Sequence, residues 1–253
     1  MKTTTSQTMN IPAISQLQDE TRSQTNPHWA IDLKGLLQTL KGTKAFVTML
    51  FDDSGSLTPV EELSTSLVDS PAFQLAVEQM KTSPDIAELI AERYMAPPHH
   101  LDALLQLPTN SLGYVYASSM KQAGFQPLMA PVAIESDTSY VENRWQQTHD
   151  IWHIVTGFDT SEIGEIGLQA FYLAQFQLPL ASLLIANALI SATVLQPEAL
   201  SPLLAAIAQG WEMGRNAKPF IAQKWEEAWE KPLAEWRSEL NVETLDSLLP
   251  SES

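Results

Sequence analysis

Apolar positions recur along this chain at three- and four-residue spacings, the period of an α-helix with one buried face. Over His28 to Leu50 that face is Trp29, Leu33, Leu36, Leu37 and Leu40. Helix-start grammar recurs as well: Asn26-Pro27, Ser70-Pro71, Ser83-Pro84 and Ser201-Pro202 each set a capping side chain before a proline. The hydroxyl or amide accepts from early helix N–H groups, and proline at the first helical position gives up a donor that has no helical partner there. These signals predict helices over 27–50, 59–68, 71–81, 84–94, 110–122, 138–156, 160–176, 180–195, 197–217 and 219–240. No sustained apolar/polar alternation bounded by hairpin turns occurs, and ten glycines allow few tight turns. Only Phe125 to Ile134 reads as extended, because Pro127 and Pro131 disfavour helix. The expected fold is all-α: one multi-helix domain over 26–245, with a flexible Thr/Ser/Gln-rich tail over 1–25 and a C-terminal tail over 246–253.

Two stretches depart from a simple amphipathic pattern. Leu180 to Leu195 is apolar nearly all round, with Ala181, Ser182, Ala186, Ala188, Ser191 and Ala192 among the larger residues. Such a helix is usually buried, and it could also wall a tunnel for a long apolar ligand. Trp211, Trp225, Trp229 and Trp236 would share an arc of about 40° on an unbroken helix, but Pro219 and Pro232 interrupt the phase. They are expected to dock the last helices onto the core; the alternative is an aromatic surface at a membrane or dimer contact.

Charge narrows the partners. A formal net charge of −16 and a pI near 4.5 exclude a nucleic-acid binder and electrostatic docking on anionic lipid. The absence of cysteine removes disulfides, thiolate nucleophiles and Cys-ligated zinc. The first residues lack an apolar signal core, and the longest apolar run falls short of the roughly 20 residues of a span and contains Asn187. The expectation is a cytoplasmic protein, or one peripheral on the inner face of a membrane through apolar surface.

Of five histidines, two stand four apart in His149-Asp150-Ile151-Trp152-His153. On a helix these imidazoles fall about 40° apart, and Asp150 lies about 60° from His153, so the three can address one point. Glu165, twelve residues on, would be about 18 Å away along a continuous helix. Gly157 offers a break, and Asp159-x-x-Glu162 looks like a capping box opening a second helix, so a helical hairpin would return Glu165 to the histidines. Imidazole and carboxylate donors suit a divalent metal, zinc first, with iron, manganese or magnesium as alternatives. A buried polar network without metal is the competing account. The zincin pattern differs, since there a glutamate follows the first histidine. His99 and His100 follow Pro97-Pro98 and read as exposed loop residues.

The pattern His149-Asp150-x-x-His153, then eleven residues, then Glu165, resembles the hallmark of the Coq4 family of ubiquinone-biosynthesis proteins. The similarity extends to Leu107-Pro108, Ser111-Leu112-Gly113 with Tyr116, Tyr140-Val141, Arg144-Trp145, Gly164-Glu165-Ile166 and Leu178-Pro179. Gly210, Gly214, Trp225, Pro232-Leu233, Arg237 and Leu240 fit it too, so it covers roughly Glu92 to Val242. One departure is Gln146, where the family often carries a second basic residue. The resemblance implies a divalent metal, usually zinc, on His149, Asp150, His153 and Glu165. It also implies contact with isoprenoid lipid and with other quinone-biosynthesis proteins, and oxidative decarboxylation at C1 of a prenylated ring. Leu183, Leu184, Ala188 and Ile190 are the candidate isoprenoid contacts, and a homodimer is expected, to which Gly210-x-x-x-Gly214 and the tryptophan face would be suited. A non-catalytic scaffold presenting the prenylated precursor, and a metal-dependent prenyl-phosphate hydrolase, remain the alternatives.

Overall fold

Serine caps and proline starts set the order of the helices. The computed structural model describes residues 58–127 and 133–244. The predicted 27–50 helix and both predicted tails lie outside those residues. Ten α-helices follow one another among the described residues: α1 (Thr58–Leu67), α2 (Pro71–Met80), α3 (Pro84–Glu92), α4 (Leu101–Leu104), α5 (Leu112–Ala123), α6 (Asp137–Thr156), α7 (Glu162–Phe176), α8 (Pro179–Leu195), α9 (Leu200–Asn216) and α10 (Leu233–Glu239). No strand occurs among them, only an isolated bridge between Ser111 and Pro232, so the all-α expectation holds. Ser70 and Ser111 cap α2 and α5 by accepting from Phe73 and Tyr114 N–H at 3.2 Å.

The structure alters several predicted elements. The 219–240 helix does not form: a 3₁₀ turn (Trp225–Glu227) and the short α10 take its place. Pro219 and Pro232 cannot donate to a helical ladder, and Pro232 instead becomes the cap residue of α10. Ser201-Pro202 lies inside the first turn of α9, which begins after a 3₁₀ turn (Pro197–Ala199). The helix α4 went unpredicted because four residues carry no periodicity.

Helix α6 is the hub. Helices α2, α3, α5, α7 and α10 all pack on it. It buries Tyr140, Val141, Trp145, Ile151, Trp152 and Val155, and with them Glu142, Asn143, Arg144, Thr148 and His153. Each buried polar group needs a partner. The Glu142 carboxylate accepts from Ser64 of α1, from Trp145 Nε1 at 2.9 Å and from Gln146 Nε2 at 2.6 Å. Arg144, wholly buried, meets Glu226 with both terminal nitrogens, at 2.7 and 3.0 Å. At the helix start, Asp137 takes Lys81 at 2.9 Å and Arg93 at 2.5 Å, which ties the ends of α2 and α3 to α6. At its end, Gly157 adopts φ +82°, a left-handed cap that glycine tolerates best. Arg237 of α10 then donates to the Ile154 and Val155 carbonyls, both at 2.9 Å.

The Gly210-x-x-x-Gly214 face works within the chain. A Cβ on Gly210 would stand 1.9 Å from the Gly167 carbonyl oxygen, and one on Gly214 would stand 2.7 Å from that of Phe171. Helix α9 therefore presses its backbone on that of α7, and these glycines do not present the dimer face expected of them. Trp225 and Trp236 are buried with ring centroids 4.7 Å apart, and Trp229 stacks on Tyr116, so three tryptophans dock the C-terminal segment. Trp211 alone of the four is exposed, at 42%.

Gly210→Ala forces α7 and α9 apart. It is expected to lower the unfolding free energy by roughly 1–3 kcal/mol in urea titration, the usual penalty of overpacking. Unchanged stability would show that the two helices part without penalty.

Candidate functional site

The turn after α6 decides which side chains meet. Gly157 ends α6, three residues follow, and Ser161 caps α7 by accepting from Gly164 N–H at 3.1 Å. The predicted Asp159–Glu162 box is displaced: Asp159 accepts from the Ser161 N–H at 3.1 Å and so braces the true cap. The short crossover brings Glu165, in the first turn of α7, beside both histidines.

His149, His153 and Glu165 form one cluster whose donor atoms lie within 4.8 Å of one another. The two Nε2 atoms stand 3.2 Å apart. Glu165 Oε1 is 3.1 Å from His153 Nε2, and its Oε2 is 3.7 Å from His149 Nε2. Both rings are held from behind. His153 Nδ1 is 2.9 Å from the Phe158 carbonyl, which can only accept, so Nδ1 carries hydrogen and neutral His153 offers a lone pair at Nε2. His149 Nδ1 lies 2.7 Å from the buried Tyr172 hydroxyl of α7. Trp145 sets its edge against both His149 and Tyr172. The side chains open progressively to solvent, from His153 at 6% through His149 at 17% to Glu165 at 37%. The cluster is therefore reached from the Glu165 side.

Electrostatics divides the two imidazoles. Burial, with the neighbouring His153 charge, pushes His149 down to about 4. Burial also opposes the charged form of His153, but the Glu165 carboxylate and the Phe158 carbonyl outweigh it and raise that ring. Glu165 is pushed up by burial and pulled further down by the hydrogen bond from His153 and both imidazole charges, so it stays ionised. Burial drives the Tyr172 hydroxyl far up, and it remains a neutral phenol.

Asp150, the fourth predicted donor, stands outside this cluster. Its carboxylate takes no hydrogen bond among the described residues. Burial and the Glu165 charge raise it, while His153 and His99 pull the other way. Gln146, at the departure from the family pattern, hydrogen-bonds Glu142 and not the cluster. Of the isoprenoid candidates on α8, Leu184 is buried, Leu183 and Ala188 are half-buried and Ile190 is exposed. They fall on different faces, and α8 buries only Leu180, Ala181, Leu184 and Ala192.

Sequence reasoning missed one group. His99, expected to be an exposed loop residue, has a side chain only 4% exposed. Its Nδ1 is 3.2 Å from the Tyr116 hydroxyl and its Nε2 is 3.7 Å from Glu226. Trp229 packs edge-on against His99 and stacks on Tyr116. The signal available was Glu226, an acid between two tryptophans that a buried Arg144 requires.

The architecture is thus that of an all-α protein whose central helix and its successor assemble a two-histidine, one-carboxylate cluster at a short turn. Residues 39–246 match the family of the coenzyme Q (ubiquinone) biosynthesis protein Coq4, and the chain belongs to that family. It is 29% identical over 182 residues to the mitochondrial ubiquinone biosynthesis protein COQ4 homologue of Aedes aegypti, covering 69% of this chain and 65% of that protein. It is 32% identical over 181 residues to the mitochondrial COQ4 of Eremothecium gossypii, covering 70% of this chain and 52% of that protein. The chain thus spans between half and two thirds of the length of these relatives. A crystal structure of a Nostoc punctiforme protein provisionally assigned to ubiquinone biosynthesis is similar at a TM-score of 0.73 and 35% identity, over 80% of this chain and 97% of that one. No helix among the described residues is long and apolar enough to cross a membrane.

The Arg144–Glu226 pair behind the site makes a pH-dependent contribution. Burial works against the Glu226 charge, but the His99 ring beside it, the hydrogen bonds it accepts from Arg144 and the guanidinium charge bring it down to about 2. A depressed carboxyl stabilises the fold above its unfolded value, about 4.3, and the contribution is lost as pH falls towards 2. Glu226→Gln should cost about 3 kcal/mol near neutrality, where it leaves Arg144 buried and uncompensated. The gap between the two proteins should narrow as unfolding is followed from pH 5 downwards. A gap that stays constant with pH would refute this role.

Proposed function

We propose that His149, His153 and Glu165 hold a divalent metal ion, and that the chain acts through it in the biosynthesis of ubiquinone or a related prenylquinone. The observation that carries this is the spacing of the three donors. A tetrahedral ion with ligands at about 2.0–2.1 Å separates its donors by roughly 3.3 Å, and the donors here are 3.1, 3.2 and 3.7 Å apart. Both Nδ1 atoms face protein groups, the outer-shell arrangement that aims Nε2 at a metal. A proton shared between the two Nε2 atoms is the metal-free way to satisfy the same contact. Zinc fits the donor set, as do iron, manganese and magnesium in order of decreasing nitrogen preference.

Bound there, the metal supplies Lewis acidity towards an anionic group of the substrate. The substrate class consistent with the family is a prenylated ring carboxylic acid, whose C1 carboxyl leaves as CO2 while one atom of dioxygen enters as the hydroxyl, the other leaving as water with two protons and two electrons from an external reductant. Three protein donors leave a position for that carboxylate, which a closed four-donor set would not. Tyr172 and Phe158 orient the histidines, and Glu165 forms the solvent-facing edge by which a substrate arrives. Helix α8 has no charged residue and exposes Ile190, Val194 and Leu195, which suits an isoprenoid tail or apolar membrane contact. Other quinone-biosynthesis proteins are the expected partners.

Elemental analysis tests the centre directly. Purified protein should carry about one divalent metal per chain, and His153→Ala should carry none while keeping its helical circular dichroism. Full metal content in that variant would sink the proposal. Binding to lipid vesicles should change little between low and high salt, because an acidic protein reaches a bilayer through apolar contacts; a steep salt dependence would rule that route out.

A further inference from the structure

Several buried tryptophans share a feature that packing does not account for. The indole N–H groups of Trp152, Trp225 and Trp236 are buried and donate to nothing among the described residues. A buried donor without an acceptor costs free energy, and such groups are uncommon in folded proteins. Trp145 shows the ordinary arrangement, its Nε1 donating to Glu142 at 2.9 Å.

The unmatched indoles stand in a row of ring contacts that starts at the donor cluster. Between ring centroids, Tyr172 is 6.0 Å from His149, on which it stacks, and 4.9 Å from Trp152. Trp152 meets Phe220 at 5.4 Å, Phe220 meets Trp225 at 5.2 Å, and Trp225 meets Trp236 at 4.7 Å. Tyr172, Trp152, Phe220 and Trp225 are wholly buried, and Trp236 of α10, 5% exposed, is the outermost ring. Lys231, paired with Glu239 and partly exposed, lies 4.1 Å over its face. An indole gives up one electron more readily than an aliphatic side chain, and rings in contact pass it along. An oxidised indole bound to an acceptor loses its N–H proton, which traps the charge. One without an acceptor keeps the proton and is readily reduced again. The net charge of −16 favours a passing positive charge.

We propose that Trp152, Trp225 and Trp236 form an electron path joining the donor cluster to the outer face of α10. The inference rests on the metal and dioxygen chemistry proposed above, which draws its electrons from outside. The oxidant is dioxygen reduced at the cluster, and the reductant is a one-electron donor that meets α10 beside Lys231. In each passage Trp152 gives one electron towards the cluster across Tyr172 and becomes a cation radical. Trp225 restores Trp152, crossing Phe220, and Trp236 restores Trp225. The outside donor then restores Trp236 and is itself oxidised by one electron. Two passages supply both electrons; the two protons enter from solvent on the Glu165 side, because the indoles release none.

The test loads the full-length chain with iron(II), adds hydrogen peroxide without substrate, and maps oxidised residues by peptide mass spectrometry. Indole oxidation at Trp225 and Trp236 is expected to exceed that at Trp211, which is 42% exposed but outside the row. Trp152→Phe should lose the oxidation at both Trp225 and Trp236. Trp225→Phe should keep it at Trp152 and lose it at Trp236. Iron content and circular dichroism, measured before peroxide is added, establish that each variant keeps its site and its helices. Oxidation heaviest at Trp211, or confined to the donor histidines and Trp145, would overturn the path from the wild-type protein alone. Oxidation of Trp236 that persists in both variants would overturn it too. Wild-type protein that takes up no iron overturns the metal assignment, and the path loses its origin with it. Iron taken up without oxidation at Trp225 and Trp236 overturns the path alone, so the two failures are distinguishable.

Discussion

A polar helix at the centre of an apolar fold must find partners for the charged groups it carries inward, and α6 shows how that requirement orders the molecule. Leaving a buried charge unpaired costs several kcal/mol, so its surroundings are recruited. Glu142 draws on Ser64, Arg144 on Glu226, Gln147 on the Ala96 backbone, His149 on Tyr172 and His153 on Phe158. These partners come from five separate parts of the chain. Packing alone would allow α6 to rotate or slide; its hydrogen bonds permit one register. The same register that satisfies Arg144 and Glu142 turns His149 and His153 towards α7.

The second requirement is that α7 lie close enough for Glu165 to arrive. That comes from the opposite kind of chemistry, the removal of side chains. Gly210 and Gly214 bring the backbone of α9 onto α7 around Gly167 and Phe171. Helix α7 is thus held from outside by backbone contact and from inside by Tyr172 and Phe171 packed on Trp152. Glu165 sits at its N-terminal end, where the helix dipole favours a carboxylate.

Much of this is legible in the residues, and the limits are physical. The helices with sustained periodicity, α1 to α3, α5 to α7 and α9, appear close to their predicted bounds, because a face of apolar residues three and four apart has one stable solution, and α8 does so on its length and apolar character. The pairing of His149, His153 and Glu165 follows from helix geometry and one glycine break. Asp150 does not join them, because angular proximity on a wheel does not fix where a short side chain ends. His99 could not be placed, since its burial depends on Trp229 and Glu226, more than a hundred residues away in sequence. Nor could Gly210-x-x-x-Gly214 be assigned to a partner: a small-residue stripe records that a backbone approaches without saying whose. The 219–240 segment misled because acidic and aromatic residues mimic a helical face, while two prolines forbid one.

Arg237 gives the molecule a temporal property as well as a spatial one. Its two bonds to Ile154 and Val155 close the end of α6, one turn from His153, across more than eighty residues of sequence. During synthesis the histidines and Glu165 emerge well before the residue that locks their helix. Until position 237 has left the ribosome, the last carbonyls of α6 stay open to water and the turn carrying the donors can fray. The order of translation therefore separates the making of the donor set from its final rigidity, and a metal ion captured early would meet a softer set of donors than one captured from the finished fold.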